Sequence, residues 1–162
     1  MIDPVGGERP GNGIVHRGCL IPLDLWYDVS RDVWLRPEGD GTVSLGMTDV
    51  AQTRAGKVLH ITFKKVGRRI EAGQSAATIE SAKWVGPFPS PVAGTVVATN
   101  AGAFAADILV ANRDPYELGW LLRLEPDEWD PGAAGLVTGS TAVDQYEQRI
   151  EALGVSCIRC AD

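Results

Sequence analysis

The placement of glycine and proline constrains this chain more than any other feature. Nineteen glycines and ten prolines break it into short segments. Helix interiors tolerate neither residue well, whereas tight turns use both. Short runs rich in valine, isoleucine, threonine and aromatics between such breaks read as strands. Val33-Trp34-Leu35-Arg36 and Thr42-Val43-Ser44-Leu45 flank Glu38-Gly39-Asp40-Gly41, a loop whose glycines can take positive φ, so this segment is predicted to be a hairpin. Further strands are expected over Lys57 to Phe63, Ile70 to Ala72, Ala76 to Ile79, Gly94 to Ala98 and Trp120 to Leu124. Turn residues separate them at roughly the 8–12-residue spacing of a compact sandwich or barrel. Thr48 with Asp49 caps a short helix from Asp49 to Arg54, closed by Gly56. Ala101 to Ala105 offers one poor helical turn.

The two ends differ from this body. Residues 1–18 are glycine-rich with no apolar period and read as a flexible arm, with the folded body, 19–129, starting around Leu20 to Trp26. Asp130-Pro131-Gly132-Ala133-Ala134-Gly135 begins a linker over 130–139. Within 140–162, Thr141-Ala142-Val143-Asp144 has the form of a capping box with aspartate in the glutamate position. Val143, Tyr146, Ile150 and Leu153 then make one apolar helical face that ends at Gly154. Such a helix packs on its own body or on a partner; its own body is the simpler choice.

At 162 residues the chain is long enough for one cored domain with short extensions. A formal charge of −6 argues against a nucleic-acid grip, which needs a basic face. No apolar run reaches membrane-spanning length, and Met1 to Gly13 has no signal-peptide pattern. Three cysteines, two of them near the C-terminus, do not make a secreted disulfide framework. A reducing compartment, the cytoplasm, is therefore expected.

The chemically informative stretch is Glu80-Ser81-Ala82-Lys83-Trp84-Val85-Gly86-Pro87-Phe88-Pro89-Ser90-Pro91-Val92-Ala93-Gly94. Two β segments flank a lysine that stands near the start of the segment between them. Prolines stiffen the return side and hold the tip outward. On spacing alone, a lysine in such a turn is a solvated surface charge.

From about Trp34 to Glu125 the chain resembles the H-protein of the glycine cleavage system and its lipoyl-domain relatives. The resemblance rests on segments in the family's order: Gly41-Thr42-Val43-Ser44-Leu45-Gly46, Thr48-Asp49-Val50-Ala51-Gln52, Ile70-Glu71-Ala72-Gly73-Gln74, Glu80-Ser81-Ala82-Lys83, Ser90-Pro91-Val92-Ala93-Gly94, and Asn112-Arg113-Asp114-Pro115-Tyr116 to Gly119-Trp120-Leu121. The family's lysine precedes the proline of its turn as Lys83 precedes Pro91. The resemblance implies a mostly β fold, a lipoyl/biotinyl-type sandwich or flattened barrel with a short internal helix and a C-terminal helix. It also implies a carrier subunit, not an enzyme, with lipoic acid joined to Lys83 by an amide. Glu80, Ser81, Ala82 and Trp84 would present that lysine, with Asp49 as a further helper. A lipoate ligase or another lipoate attachment system would load it, and dihydrolipoamide dehydrogenase is a candidate partner. Biotin is disfavoured, because its lysine usually lies between methionines and Lys83 lies between Ala82 and Trp84.

Three features depart from the H-protein pattern: the aromatic, proline-rich segment after Lys83, the longer entry segment from Cys19 to Val29, and the C-terminal extension with Cys157-Ile158-Arg159-Cys160. This combination resembles the lipoate-binding proteins associated with a heterodisulfide-reductase-like complex. It implies carriage of sulfur or electrons in cytoplasmic sulfur oxidation, preferred on these departures over carriage of an aminomethyl group in glycine cleavage. An unmodified interaction module with the same fold is the alternative of another class.

Cys157 and Cys160 form a CxxC, a candidate redox pair or half of a zinc site. Only Cys19, His16 and His60 remain to complete a metal set, in no supporting spacing, so no metal is expected and the simplest reading is two reduced thiols. His60 in a strand reads as structural and His16 in the arm as solvated. Lys64, Lys65, Arg68 and Arg69 around Gly67 read as an exposed basic loop able to meet an acidic partner.

Overall fold

The computed structural model describes residues 13–161. In chain order the elements are β1 (Gly13–His16), β2 (Cys19–Pro22), β3 (Trp26–Asp28), β4 (Val33–Pro37), β5 (Val43–Met47), α1 (Asp49–Ala55), β6 (Val58–Phe63), β7 (Arg69–Ile70), β8 (Ser75–Ser81), β9 (Val85–Pro89), β10 (Gly94–Thr99), α2 (Ala101–Ala106), α3 (Val110–Arg113), β11 (Leu122–Pro126), β12 (Val137–Thr138) and α4 (Gly139–Leu153).

Seven strands form one antiparallel sheet in the order β12-β3-β4-β5-β11-β10-β7. A second sheet has the order β6-β8-β9, and β1 pairs only with β2. Val33, Leu45, Ile79, Phe88, Val96 and Leu124 are buried in one cluster that draws on both larger sheets. The fold is thus a β-sandwich with its core between layers. Strand β5 is buried along its whole length. At Gly46 a Cβ would overlap the Trp34 indole, and that indole donates to the Pro115 carbonyl at 3.0 Å.

The β4–β5 hairpin matches the expected one, with Gly39 at φ 88° and Gly41 at φ 91° in its loop. Helix α1 also matches: the Thr48 hydroxyl accepts from the Ala51 amide, and Gly56 closes the helix at φ 79°. Helix α4 lies on the body through a second core, where Val143, Tyr146 and Ile150 meet Ile21, Leu25 and Tyr27. Leu153 is 40% exposed and stands outside that contact.

Four expectations need correction. Residues 13–16 are a strand paired to Cys19–Pro22, where composition suggests an arm; the pairing supplies the order that local sequence lacks. The remainder of that expected arm, residues 1–12, lies outside the described residues. The return segment after Lys83, which lies outside the expected strands, is strand β9: Pro87 and Pro89 fall in a strand that pairs only with β8, the edge setting in which proline is tolerated. The expected linker ends in β12 and the first helical residue, and α4 begins at Gly139 instead of behind a Thr141 cap. Thr138 holds the N-cap position but makes no side-chain cap bond; its hydroxyl donates to the Leu25 carbonyl at 2.6 Å. Tying β12 to β3 wins over the local capping pattern.

Candidate functional site

Strands β8 and β9 pair up to Glu80 opposite Val85, leaving Ala82, Lys83 and Trp84 at the turn. The turn is fixed from inside. The Ser81 amide donates to the Trp84 carbonyl at 2.8 Å, and the buried Ser81 hydroxyl donates to the same oxygen at 3.1 Å. That hydroxyl also accepts from the Lys83 amide at 3.4 Å. The Ala82 amide donates to the Lys57 carbonyl at 2.9 Å, tying the tip to the start of β6. The turn therefore presents an exposed lysine on a backbone held by the Ser81, Ala82 and Lys83 amides.

The Lys83 stem lies over Gly56, where a Cβ would sit 3.4 Å from the lysine Cε. Gly56 thus serves as the left-handed end of α1 and as a flat resting place for the stem. Beneath it, the buried Asn112 side chain donates to the Gly56 carbonyl at 2.9 Å and to Gln52 at 3.2 Å, and accepts from the Val58 amide at 3.0 Å. One amide group so fixes the junction of α1, α3 and β6 under the lysine. Trp84 is 44% exposed and folds back along β9, where a Cβ at Gly86 would overlap its ring.

Lys83 stands between two clefts and lines both. One, of about 380 Å³, runs between α1 and the β8–β9 hairpin, with Met47, Ala51, Ile79 and Phe88 among its apolar walls and Asp32 and Arg149 at its polar side. The other, of about 730 Å³, lies between α1 and the C-terminal tail and includes Thr53, Lys57, Ile158, Arg159 and Cys160. Among the described residues the Lys83 amine has no acidic partner, so acylation would break no ion pair.

Buried acids nearby are committed elsewhere. Asp32 accepts from Arg149 at 2.8 and 2.9 Å and from the Tyr146 hydroxyl at 3.1 Å. Asp49 accepts from Arg159 at 2.8 and 3.0 Å and from the Leu20 amide at 2.9 Å. Burial alone would lower the Arg159 guanidinium's pKa, but its hydrogen bonds to Asp49 prevail and raise it. Asp49 therefore locks the tail onto α1 and is not turned toward Lys83, contrary to the helper role the sequence suggests. Glu80 is exposed on the outer side of the hairpin, 3.8 Å from the His60 ring, and Ala82 is exposed at the tip. His16 bonds to Glu151 at 2.8 Å and so is not merely solvated.

Cys157 and Cys160 do not pair. Cys157 is bonded to Cys19, 138 residues away, and Cys160 is free. After Gly154 the chain runs beside the β1–β2 turn, where the Cys157 amide donates to the Arg17 carbonyl at 2.9 Å. This places Cys157 against Cys19. No group of three or more metal-binding side chains occurs among the described residues. Sequence reasoning missed Cys19 as a partner and Gly56 and Asn112 as the lysine's platform. Cys19 stands in an apolar segment, a sign of burial; nothing local marks the other two roles.

The family model for the glycine cleavage H-protein matches residues 25–149. Glycine cleavage system H protein 2 of Aquifex aeolicus is 42% identical, the match covering 88% of each chain. Probable glycine cleavage system H protein 2 of Saccharolobus solfataricus is 38% identical over 90% of this chain and 99% of its own. The crystal structure of the H protein from Mycobacterium marinum superposes with a TM-score of 0.66 at 30% identity, covering 78% of this chain and 98% of that one. The β-sandwich is thus shared with proteins of one kind: the chain belongs to the glycine cleavage H-protein family, whose members carry a covalently attached lipoyl-lysine and are carrier subunits rather than enzymes.

Proposed function

We propose that Lys83 is the lysine of this chain that bears the lipoyl group, and that the chain carries a group or electrons on it between partner enzymes. The observation that carries this is the exposed Lys83 amine on a turn braced by Ser81, with its stem over Gly56 and a cleft on either side. These surroundings fit a lipoyl-lysine: the amine is accessible, amide formation strands no carboxylate, and Trp84, Pro87 and Ala51 offer apolar surface near the tip. When bound, the group supplies a dithiolane that cycles between disulfide and dithiol. The protein's part is to hold the anchor, expose it, and keep neighbouring acids satisfied. H-proteins work with lipoate attachment systems and partner enzymes. A lipoate ligase, with dihydrolipoamide dehydrogenase as oxidant, is the proposed set here, and the cytoplasm the proposed compartment. Among the described residues no helix is long and apolar enough to cross a membrane.

Carriage of an aminomethyl group in glycine cleavage has the stronger support, because the family match spans residues 25–149 and the relatives bear that name. The preference for sulfur carriage drawn from the sequence departures is therefore reversed. Sulfur or electron carriage with a heterodisulfide-reductase-like complex stands as the second reading. It is favoured by the three cysteines, all outside the matched span, and by Trp84 at the tip. Three relatives are H proteins numbered 2, 3 and 5 of one organism; the family is duplicated there, and a duplicate can serve other partners.

Intact-mass measurement with peptide mapping tests the anchor. A lipoyl increment on the Lys83 peptide, absent from Lys83→Arg, is expected, and an unmodified Lys83 in cells that use the pathway would overturn it. Turnover with glycine decarboxylase then decides the cargo: glycine-dependent loading supports the first reading, and its absence in a lipoylated chain supports the second.

A further inference from the structure

All three cysteines lie outside residues 25–149, the span matched by the family model. The Cys19–Cys157 bond joins the two segments that flank that span, the β1–β2 hairpin and the tail after α4. The tail crosses α1 as a strap. The Ile158 carbonyl accepts from the Gln52 side chain at 2.9 Å, Arg159 pairs with Asp49, and the Cys160 amide donates to the Asn112 carbonyl at 2.9 Å. Asn112 also braces Gly56 under the Lys83 stem, and its side chain donates to that of Gln52. The strap thus touches the lysine's platform, and Ser156, Ile158, Arg159 and Cys160 line one side of the cleft that Lys83 lines from the other.

The two cysteines are unequally exposed: Cys19 is fully buried, and Cys157 is partly exposed. We infer that the Cys19–Cys157 disulfide is a redox-active site, opened by a dithiol through Cys157, and that its state sets how firmly the strap closes the cleft beside Lys83. One thiolate of the dithiol attacks the Cys157 sulfur, and the bond to Cys19 breaks. Cys19 leaves as a thiolate and takes up a proton. The second thiol then attacks the mixed disulfide and releases Cys157 as a thiol, while the dithiol departs as a disulfide. Two electrons and two protons pass to the protein. Without the bond, the strap is held only by Arg159 and a few hydrogen bonds, at the low-stability end of local opening equilibria.

The test uses the full chain, not lipoylated, with free dihydrolipoamide as the dithiol. Under native, oxidising conditions one thiol, Cys160, is expected to be alkylated; after dihydrolipoamide all three should react. Amide exchange at Cys157 and Cys160 should rise by about tenfold or more on reduction, while β8 and β10 keep their protection. Cys157→Ser should show the fast exchange without reductant. Lys83→Ala should respond as the unsubstituted chain does, so loss of the lipoyl reading leaves this inference standing. Three reactive thiols in the oxidised chain would overturn it. So would a disulfide that opens only in denaturant, or reduction that leaves exchange at the strap unchanged.

Discussion

Asn112 shows how one side chain can govern a site it does not enter. It is buried, and its amide meets the Gly56 carbonyl, the Gln52 side chain and the Val58 amide. Removing it leaves a buried backbone donor and acceptor unpaired, which costs roughly 1–3 kcal/mol. Asn112→Ala is expected to lower unfolding stability by about 2 kcal/mol in urea titration and to loosen the Lys83 turn, seen as faster exchange at Ala82 and Lys83. Lys83 itself is the opposite case. It is exposed and makes no ion pair among the described residues, so Lys83→Arg should shift stability by less than about 0.5 kcal/mol while abolishing lipoylation. Together the two variants separate presentation of the lysine from the lysine's chemistry. Gly46 needs no such argument from function: its missing Cβ is the space the Trp34 ring occupies.

At the level of elements, α4 is held to the body by its own core face and by one buried ion pair. Asp32 is almost wholly buried and depends on Arg149 and Tyr146. Hydrogen bonding to Asp32 outweighs the opposing burial and raises the Arg149 pKa. Arg149→Ala removes that partner from a buried carboxylate, and Arg54 at 3.8 Å is too distant to replace it fully. A loss of about 2–3 kcal/mol is expected, below the 3–5 kcal/mol of a fully buried pair because Arg149 is partly exposed. Tyr146→Phe, which leaves that pair intact, should cost only about 1 kcal/mol. Urea titration of both variants checks the ordering. The core face of α4 was legible from Val143, Tyr146 and Ile150, because helical periodicity is local and burial follows it. The β4–β5 hairpin and the capped α1 were legible for the same reason. Strand β9 was not, since Pro87 and Pro89 oppose a strand until its edge position is known. Strand β1 and the Cys19–Cys157 bond were hidden because both depend on contacts between the chain's two ends. The proposed site divides likewise: Lys83 is singled out by its motif, whereas Gly56 and Asn112 acquire their places beneath it only once α1, α3 and β6 meet.

The whole molecule is closed by bonds between its ends, and two consequences can be measured. The first concerns acid. The His16 hydrogen bond holds the Glu151 carboxyl below its usual range, and the Arg69 and Arg113 guanidiniums do the same for Asp127 and Asp107. A carboxylate with a lowered folded pKa adds stability above its unfolded pKa of about 4 and loses it as pH falls through the folded value. Stability should therefore be level with respect to these groups above about pH 5 and decline below about pH 4, with the decline weakened by salt because they are exposed. Melting temperature against pH at two ionic strengths checks the sign. The second concerns the disulfide, which closes a loop across a separation of 138 residues. Chain-entropy arguments give about 5 kcal/mol for a loop of that length, while measured bridges more often give about 2–4 kcal/mol. Cys19→Ala with Cys157→Ala should fall in the measured range, since the Arg159–Asp49 pair and the α4 core keep the ends together in the folded state. The urea slope offers a sharper criterion than the midpoint. A cross-linked unfolded chain is more compact and exposes less surface, so removing the bridge should steepen the slope as it lowers the midpoint. A lower midpoint at constant slope would mean instead that the bridge acts by packing Cys19 in the folded core. In that case Cys19→Ala alone would reproduce most of the loss, and the link between the ends would matter less than the sulfur that fills the space beneath them.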